Sequence, residues 1–249
     1  RINPAGLENR LRFGWQQKFY EGTSKATNDN FWFAGTYLRF SPAGLRAAAR
    51  VEFQPAAVFN LTLSAEYLHY YGNFTFMQSR RSALDPLSDA DLEDNIEGAQ
   101  GNYSAGGLHA TIELLLQFAV GPVVVRNKLL LGWFDMALQR GDQVWYEPTM
   151  DVAVPGTGWL LANTFDVLYR KPMGEAMLTV GVRYSLVQPL YEAKHVRDDE
   201  DPDAAGETNS HQRLGLLAAY TFYDRGFTSF NKPSLVLIVS RYLDHRYRV

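Results

Sequence analysis

The chain has 249 residues, no cysteine and a formal net charge of −3. This length fits one large all-β domain, and basic residues that alternate with apolar ones disfavour a nucleic-acid partner. The absence of cysteine excludes a disulfide framework, thiolate metal ligands and cysteine catalysis. The richest apolar run, 114–125, contains Gln117 and falls short of the ~20 residues that a spanning helix needs. Residues 1–4 do not read as the start of a signal peptide, so a mature or trimmed form is expected.

Apolar and polar residues alternate along successive segments, which is typical of strands with one apolar face. In the first segment Leu11, Phe13 and Trp15 alternate with Arg10 and Arg12. The last segment is apolar on both faces, so its orientation stays open. The ten predicted strands cover 7–20, 31–40, 46–54, 58–70, 108–120, 123–134, 159–170, 176–187, 213–223 and 234–242.

The connections between these strands fall into two classes, short turns and long polar loops. The short turns lie at 54–57, 121–122 and 171–175, and the long loops at 72–106, 137–158 and 188–212. They alternate from the fourth strand onward, as an antiparallel up-and-down arrangement requires. This order places both chain ends on the side of the long loops, whereas a spanning barrel ordinarily has them on the side of the short turns. A miscounted strand near each terminus, missing ends of the natural protein or long loops that face the periplasm would each account for this, so the predicted count of about ten strands keeps a range of eight to twelve.

Strand alternation does not say which face lies inside, and a soluble lipocalin-like barrel or a β-sandwich with an aromatic core gives the same pattern. A soluble ten-stranded barrel would have to pack rings such as Phe13, Trp32 and Trp133 into a narrow lumen. We therefore expect the apolar face to contact lipid, with aromatic residues near strand ends forming two girdles. The predicted girdle residues are Trp15, Phe19, Trp32, Tyr67, Trp133, Trp159, Tyr169, Tyr184, Tyr220 and Phe222.

Over nearly its whole length the chain resembles bacterial outer-membrane β-barrel proteins as a general class. The resemblance implies one transmembrane antiparallel up-and-down barrel over residues 1–249, located in the outer membrane and surrounded by its lipid. It points to no specific family, so no functional residue is carried over from it.

If the apolar face contacts lipid, charged side chains fill the lumen. Opposite charges on neighbouring strands can then pair, because an unpaired charge is costly when it is buried. This predicts a largely plugged lumen, whereas an excess of basic groups would suit a narrow path for anions. The predicted lumenal charge network is Arg10, Arg12, Arg39, Arg50, Glu52, Glu66, Glu113, Arg126, Lys128, Asp166, Arg183 and Arg213.

Two of the long loops are acidic, and such runs are usually only solvated. Carboxylates could instead bind Ca²⁺, but the spacing lacks the glycine-containing loop of an EF-hand. No metal and no cofactor is predicted. The acidic residues are Asp85, Asp89, Asp91, Glu93, Asp94 and Glu97 in one loop, and Asp198, Asp199, Glu200, Asp201 and Asp203 in the other.

Hydrolytic chemistry has two weak candidates. His109-Ala110-Thr111 has the two-residue spacing of a lipid-hydrolysing His and Ser, but Thr replaces Ser and the pair shares the polar face with Glu113. His195 near Asp198 and His211 near Asp203 are only loosely protease-like, while His69 and His245 read as ordinary polar positions. The chain is therefore not predicted to be an enzyme.

Three functions follow from these patterns, in decreasing order of support. The first is a structural anchor or interaction component of a cell-envelope assembly, with long loops that bind other envelope proteins. The second is a narrow passive channel for small anionic solutes, and the third is an outer-membrane hydrolase.

Overall fold

A computed structural model describes residues 8–74, 76–94, 101–139, 141–224 and 232–248. The fold is all-β with a few short helices. The strands are β1 (Asn9–Gln17), β2 (Phe31–Ser41), β3 (Gly44–Ala56), β4 (Phe59–Tyr70), β5 (Ser79–Arg80), β6 (Ala105–Val120), β7 (Val123–Met136), β8 (Val144–Glu147), β9 (Val152–Pro155), β10 (Thr157–Met173), β11 (Ala176–Leu190), β12 (His211–Thr221) and β13 (Ser234–Asp244). The helices are α1 (Lys25–Asn28), α2 (Asp89–Asp94), a 3-10 turn (Ala193–His195) and α3 (Pro202–Asn209).

One ten-stranded antiparallel sheet dominates the molecule, in the order β1-β2-β3-β4-β6-β7-β10-β11-β12-β13. Each of its strands pairs with the sheet strand that precedes it and the one that follows it along the chain, so the predicted antiparallel up-and-down order is confirmed. Within the described ranges, β1 pairs with β2 alone and β13 with β12 alone, and these two strands are the edges of the sheet. No described helix is long and apolar enough to cross a membrane.

The ends of several strands differ from the predicted bounds. The alternation predicts a first strand that reaches residue 20, but β1 ends at Gln17 because the backbone N–H groups of Phe19 and Tyr20 donate to the Asn30 side chain, at 2.8 and 3.2 Å. Its predicted start at Leu7 lies outside the described residues. The ninth predicted strand shifts two residues toward the N-terminus, so Phe222 lies just beyond β12.

From β4 to β12, short turns lie at one end of the sheet and long connections at the other, as predicted from the fourth strand onward. Before β4 the order differs, because β2 and β3 are joined by a two-residue turn at the end with the long connections. The turns before β7 and β11 contain Gly121 and Gly174, whose φ angles of 58° and 66° suit glycine because it has no Cβ. The register pairs Asn9 with Phe40 and Asp244 with Gln212, so the start of β1 and the end of β13 lie at the end with the long connections, called the loop end below.

The register gives the sheet an apolar face and a charged face. Val51, Leu63, Ile112 and Leu131 form one continuous row of paired residues on the apolar face. The adjacent row contains Glu52, Thr62 and Glu113 and belongs to the charged face. In β13, the strand whose orientation the sequence leaves open, Leu237 and Val239 join the apolar face, while Val236 and Ile238 lie on the charged face.

Phe33 departs from the simple alternation, because it is apolar but lies buried on the charged face opposite Glu52. The Arg12 guanidinium stacks on its ring at 3.8 Å from the centroid. Gly14 and Gly35 make this close packing possible, since a Cβ at either position would approach the ring within 2.6 and 2.7 Å.

The long connections are not simple polar loops, which corrects the prediction. They contain α2, the 3-10 turn, α3 and a three-stranded sheet in the order β5-β8-β9. Their scattered apolar residues, Met77, Trp145 and Val154, are fully buried against Leu68 and Phe134 of the large sheet. Such burial has no periodic signature in the sequence. We call the described parts of 71–104, 137–156, 191–210 and 245–248 the cap.

Candidate functional site

The charged face has one cluster centred on Glu66, a buried residue of β4. Its carboxylate accepts from Arg39 Nη2 at 2.7 Å and from Arg46 Nη1 at 3.4 Å, and His109 Nδ1 lies 3.5 Å away. His109 is the direct strand neighbour of Glu66, and its ring stacks on Phe134 with centroids 4.1 Å apart. The geometry places His109 within an ion-pair network.

A second cluster is centred on Asp166, which is fully buried in the middle of β10. Arg126 and Arg183 are its direct neighbours on β7 and β11. Arg126 Nη2 lies 2.5 Å from Asp166 Oδ2, and Arg183 Nε lies 2.7 Å from Oδ1. Two guanidinium groups thus share one carboxylate, and the cluster keeps one net positive charge.

The other predicted network residues form smaller pairs. Glu52 accepts from Arg50 Nε at 2.8 Å and lies 3.3 Å from Arg12 Nη2. Lys128 Nζ donates to Glu113 at 3.3 Å. Arg10 pairs with Glu8 on the exposed edge strand, and Arg213 lies over the Tyr242 ring at 5.5 Å from its centroid. The structure therefore places the predicted residues in several local clusters instead of one continuous network.

The strongest link between sheet and cap involves residues that the sequence reasoning missed. Arg46 Nη2 donates to Glu147 of β8 at 2.8 Å, and the Tyr70 hydroxyl lies 3.0 Å from the same carboxylate oxygen. Thr149 Oγ1 and the backbone N–H of Met150 also donate to Glu147, at 2.5 and 2.8 Å. Glu147 lies in an aperiodic segment, so no sequence pattern marks it as the partner of Arg46.

Burial by itself raises the pKa of the Glu147 carboxyl. Arg46, the Thr149 hydroxyl and the Met150 N–H together outweigh that effect, and the pKa falls below its ordinary value. Glu147 is thus a buried carboxylate ion at neutral pH. Its four donors satisfy a charge that would otherwise be costly to bury.

A second link, which we call the Asp151 lock, joins the turn between β8 and β9 to the C-terminal segment. The Asp151 carboxylate accepts from the Tyr146 and Tyr242 hydroxyls, each at 2.5 Å, and from Arg248 at 2.6 and 2.7 Å. Asp151 has a φ of 60°, which is uncommon for a residue other than glycine. Arg248 also donates to Asp89 of α2 at 2.8 and 3.0 Å, so one side chain ties three cap segments together.

Several of the acidic residues expected to be solvated pair within the cap. Asp85 binds Arg197, Asp91 accepts from the Ser88 backbone N–H at 2.8 Å, and Glu200 binds Arg197 at 2.7 Å. These pairings correct the expectation for these positions, because local folding of the loops brings cations and backbone donors to them. Asp198, Asp199 and Asp203 are exposed, whereas Glu97 lies outside the described residues.

The weak protease-like pairings do not form in the described part of the chain. His195 accepts from the Glu192 backbone N–H at 2.8 Å and lies 3.0 Å from the Thr157 carbonyl. His211 Nε2 donates to the Met150 carbonyl at 2.7 Å. Both imidazoles therefore make structural contacts with backbone instead of facing Asp198 or Asp203.

The predicted girdle residues lie mostly toward the two ends of the sheet. Trp15, Trp32, Tyr169 and Tyr220 are near the turn end, with Phe19 and Phe222 just beyond their strands, and Tyr67, Trp133 and Trp159 are near the loop end. Tyr184 is the exception, because it lies in the middle of β11 opposite Phe165 and Leu214. Its hydroxyl donates to Gln212 at 2.8 Å.

Comparison with known proteins assigns this chain to no group. It matches no protein-family model, no curated protein and no solved structure. Its function is therefore inferred from the geometry of the sheet and its cap.

Proposed function

We propose that the ten-stranded sheet closes into a transmembrane barrel in the bacterial outer membrane and serves as a capped anchor in a cell-envelope assembly. The observation that carries this proposal is the contrast between the two faces of the sheet. Leu216 on the apolar face is 67% exposed, while Asp166 on the charged face is fully buried. A single sheet in water would be expected to have the opposite arrangement, because exposed apolar area is unfavourable there and buried charge is costly.

Two features support closure of the sheet. An even number of strands makes β1 and β13 antiparallel, so these two edges can pair with each other. A buried carboxylate such as Glu66 or Asp166 in the middle of one sheet also needs a surrounding wall, which a curled sheet supplies. Closure would satisfy the backbone groups of both edges, as a bilayer requires.

Strand length and aromatic placement support a bilayer as the surrounding medium. The sheet strands have 9 to 17 residues. At ~3.3 Å per residue, tilted strands of this length can cross an apolar band ~25 Å tall. Trp15, Tyr67 and Trp159 are 66%, 49% and 42% exposed near strand ends, where amphipathic rings would meet the lipid headgroups.

The cap favours an anchor over an open pore. Arg46 and Glu147 attach β8 to the charged face, and Phe134 packs against Trp145 with ring centroids 5.8 Å apart. The exposed carboxylates Asp198, Asp199 and Asp203 give the cap an acidic outer surface. This surface would suit a basic region on another envelope protein.

A second candidate function is a narrow path for small anions. It is favoured by the Asp166 cluster, in which Arg126 and Arg183 share one carboxylate, and by Arg213, which stacks on Tyr242. In this candidate the basic groups attract anions and the cap limits their passage.

Quenching by brominated lipids tests the membrane orientation. Two variants would each keep one tryptophan, Trp159 or Trp145, with the other four replaced by Phe. In bilayers with brominated acyl chains we expect strong quenching of Trp159 and little quenching of Trp145, which is fully buried in the cap. Equal quenching of both, or a stable monodisperse protein in buffer without detergent, would contradict the proposed membrane barrel.

Planar-bilayer recording separates the two candidate functions. The anchor predicts no steady conductance from the purified protein at neutral pH. A steady anion-selective current that Arg126→Gln reduces would instead establish the channel. Purification from membranes without crosslinking tests the assembly, because an anchor should retain envelope partners that are lost when the exposed aspartates are replaced by Asn.

A further inference from the structure

Two histidines lie side by side next to the Asp151 lock. His211 begins β12 and His245 directly follows β13, and their ring centroids are 5.3 Å apart. Tyr242 packs against both, with its ring centroid 5.4 Å from His211 and 4.5 Å from His245. The two imidazoles thus meet where the sheet, the β8–β9 turn and the C-terminal segment come together.

Hydrogen bonds require both rings to be neutral in the locked arrangement. Each Nε2 donates to a backbone carbonyl, that of Met150 at 2.7 Å for His211 and that of Asp151 at 3.2 Å for His245. His245 Nδ1 accepts from the Tyr247 N–H at 3.0 Å, so a proton on that nitrogen would break the bond. His211 Nδ1 is buried and has no hydrogen-bond partner within the described residues, so a proton there would have no acceptor.

The charges around the pair add to this cost. Burial lowers the pKa of His245, which outweighs the opposing effect of the Asp151 carbonyl and carboxylate. Two imidazolium ions would face two guanidinium groups and one carboxylate that already has three donors. The surrounding titratable or charged groups are Tyr146 and Asp151 from the β8–β9 hairpin, Arg213 from β12, Tyr242 from β13, Tyr247 and Arg248 from the C-terminal segment, and Asp89 from α2, which Arg248 binds.

We propose that protonation of His211 and His245 in mild acid releases the C-terminal segment and the β8–β9 turn from the loop end of the sheet, and so opens the cap. Release of the lock depends only on the local geometry. Its consequence, access to the lumen, rests on the proposed barrel. The anchor would then have an acid-controlled opening.

The sign of the pH dependence follows from the preferred neutral form. Freed histidines titrate near pH ~6.5, whereas the locked rings resist protonation. The lock is therefore at full strength above that pH and weakens as the pH falls below it. Each histidine lowers the equilibrium constant for the locked state by up to about tenfold per pH unit. This continues until the histidine is also protonated in the locked state.

A distance measurement between spin labels tests the release directly. The chain has no native cysteine, so Glu93→Cys in α2 and Asp244→Cys at the end of β13 supply two exposed labelling sites. Double electron–electron resonance on the protein in detergent should give one short distance at pH 7.5. At pH 4.5 we expect a second, longer population that becomes dominant.

Glutamine at positions 211 and 245 provides the decisive variant. Its side-chain amide can donate to the Met150 and Asp151 carbonyls as Nε2 does, but it does not titrate. The H211Q/H245Q protein should keep the short distance at both pH values. His195→Gln is the matched control, because His195 is also buried with a lowered pKa but lies outside the lock, and this variant should still open in acid.

Three outcomes would overturn the proposal. They are opening that persists in H211Q/H245Q, opening that disappears in the His195→Gln control, and loss of sheet circular dichroism at pH 4.5 in the parent protein. If the distances change as expected but no conductance appears in acid, the lock proposal holds and the barrel with a continuous lumen is wrong.

Discussion

The large sheet and the cap hold together in different ways. Every ladder of the sheet joins strands that are consecutive within it, and the ion pairs of Asp166 follow the same register, since Arg126 and Arg183 are its direct strand neighbours. The cap depends on contacts between distant parts of the chain. Arg46 and Glu147 are 101 residues apart, and Asp89 and Arg248 are 159 apart. One substitution should therefore release the cap, whereas the sheet should tolerate the loss of any one contact.

Glu147→Ala should give the largest difference in stability between the cap and the sheet. It leaves Arg46 buried without its cap partner and removes the acceptor for Tyr70, Thr149 and the Met150 N–H. Losing one partner of a buried pair costs ~3–5 kcal/mol, which we expect to fall on the cap. Limited proteolysis should cut within 137–156, while the circular dichroism of the sheet should not change.

Glu192→Ala is the control for that result. Glu192 pairs with Lys194 in the cap, but both side chains are largely exposed, so the loss should be within ~1 kcal/mol. Equal protease sensitivity of the two variants would show that the Arg46–Glu147 link does not hold the cap.

Asp166→Asn tests the stability of the sheet and leaves the contacts of the cap in place. The change leaves Arg126 and Arg183 facing each other with a neutral amide between them. We expect a loss of ~2 kcal/mol in the free energy of unfolding, measured by urea titration in detergent micelles. Protection of cap amides from hydrogen exchange should not change, and a loss of that protection would mean that sheet and cap unfold as one unit.

Gly35→Ala should destabilise the sheet by a smaller amount. The new Cβ would lie 2.1 Å from the Phe13 carbonyl oxygen and 2.7 Å from the Phe33 ring, so both the β1 backbone and the ring must move. Overpacking of this kind costs ~1–2 kcal/mol, and the same urea titration measures it. Gly206→Ala in α3 is the control, because the nearest atom to its Cβ would be 3.6 Å away, and it should have no destabilising effect.

The contrast between local pairing in the sheet and distant contacts in the cap explains what could be predicted from the sequence. Alternation in segments such as 58–70 and 108–120 is a local signal, and ten strands with their order followed from it. Alternation alone assigns Arg126, Asp166 and Arg183 to one face, whereas their direct pairing depends on a register that alternation does not specify, because a shift by two residues keeps the same face. The burial of Phe33 on the charged face was not predicted, because it depends on two neighbouring glycines, one of them on another strand.

The cap could not be predicted in the same way. Trp145, Met77 and Val154 are isolated apolar residues among polar ones, and their burial depends on two separate connections folding together against the sheet. The importance of Glu147 and Asp151 comes from partners that the chain brings near only in the folded protein. His245 looked like an ordinary polar residue because its neighbours His211 and Asp151 lie far away in the sequence.

Tyr242→Phe should have the smallest effect on stability, and it tests whether Asp151 holds the cap closed. The ring stays in contact with His211 and His245, and only the hydroxyl that donates to Asp151 at 2.5 Å is lost. Losing one hydrogen bond to a carboxylate costs about 1.5 kcal/mol, so hydrogen exchange in 144–155 should become about tenfold faster. Tyr169→Phe makes the same change on the exposed apolar face and should leave that exchange unchanged.

Because the lock is weakened before any histidine is protonated, the spin-labelled Tyr242→Phe protein should also open at a higher pH than its parent. Opening at the same pH would mean that Asp151 does not hold the cap closed.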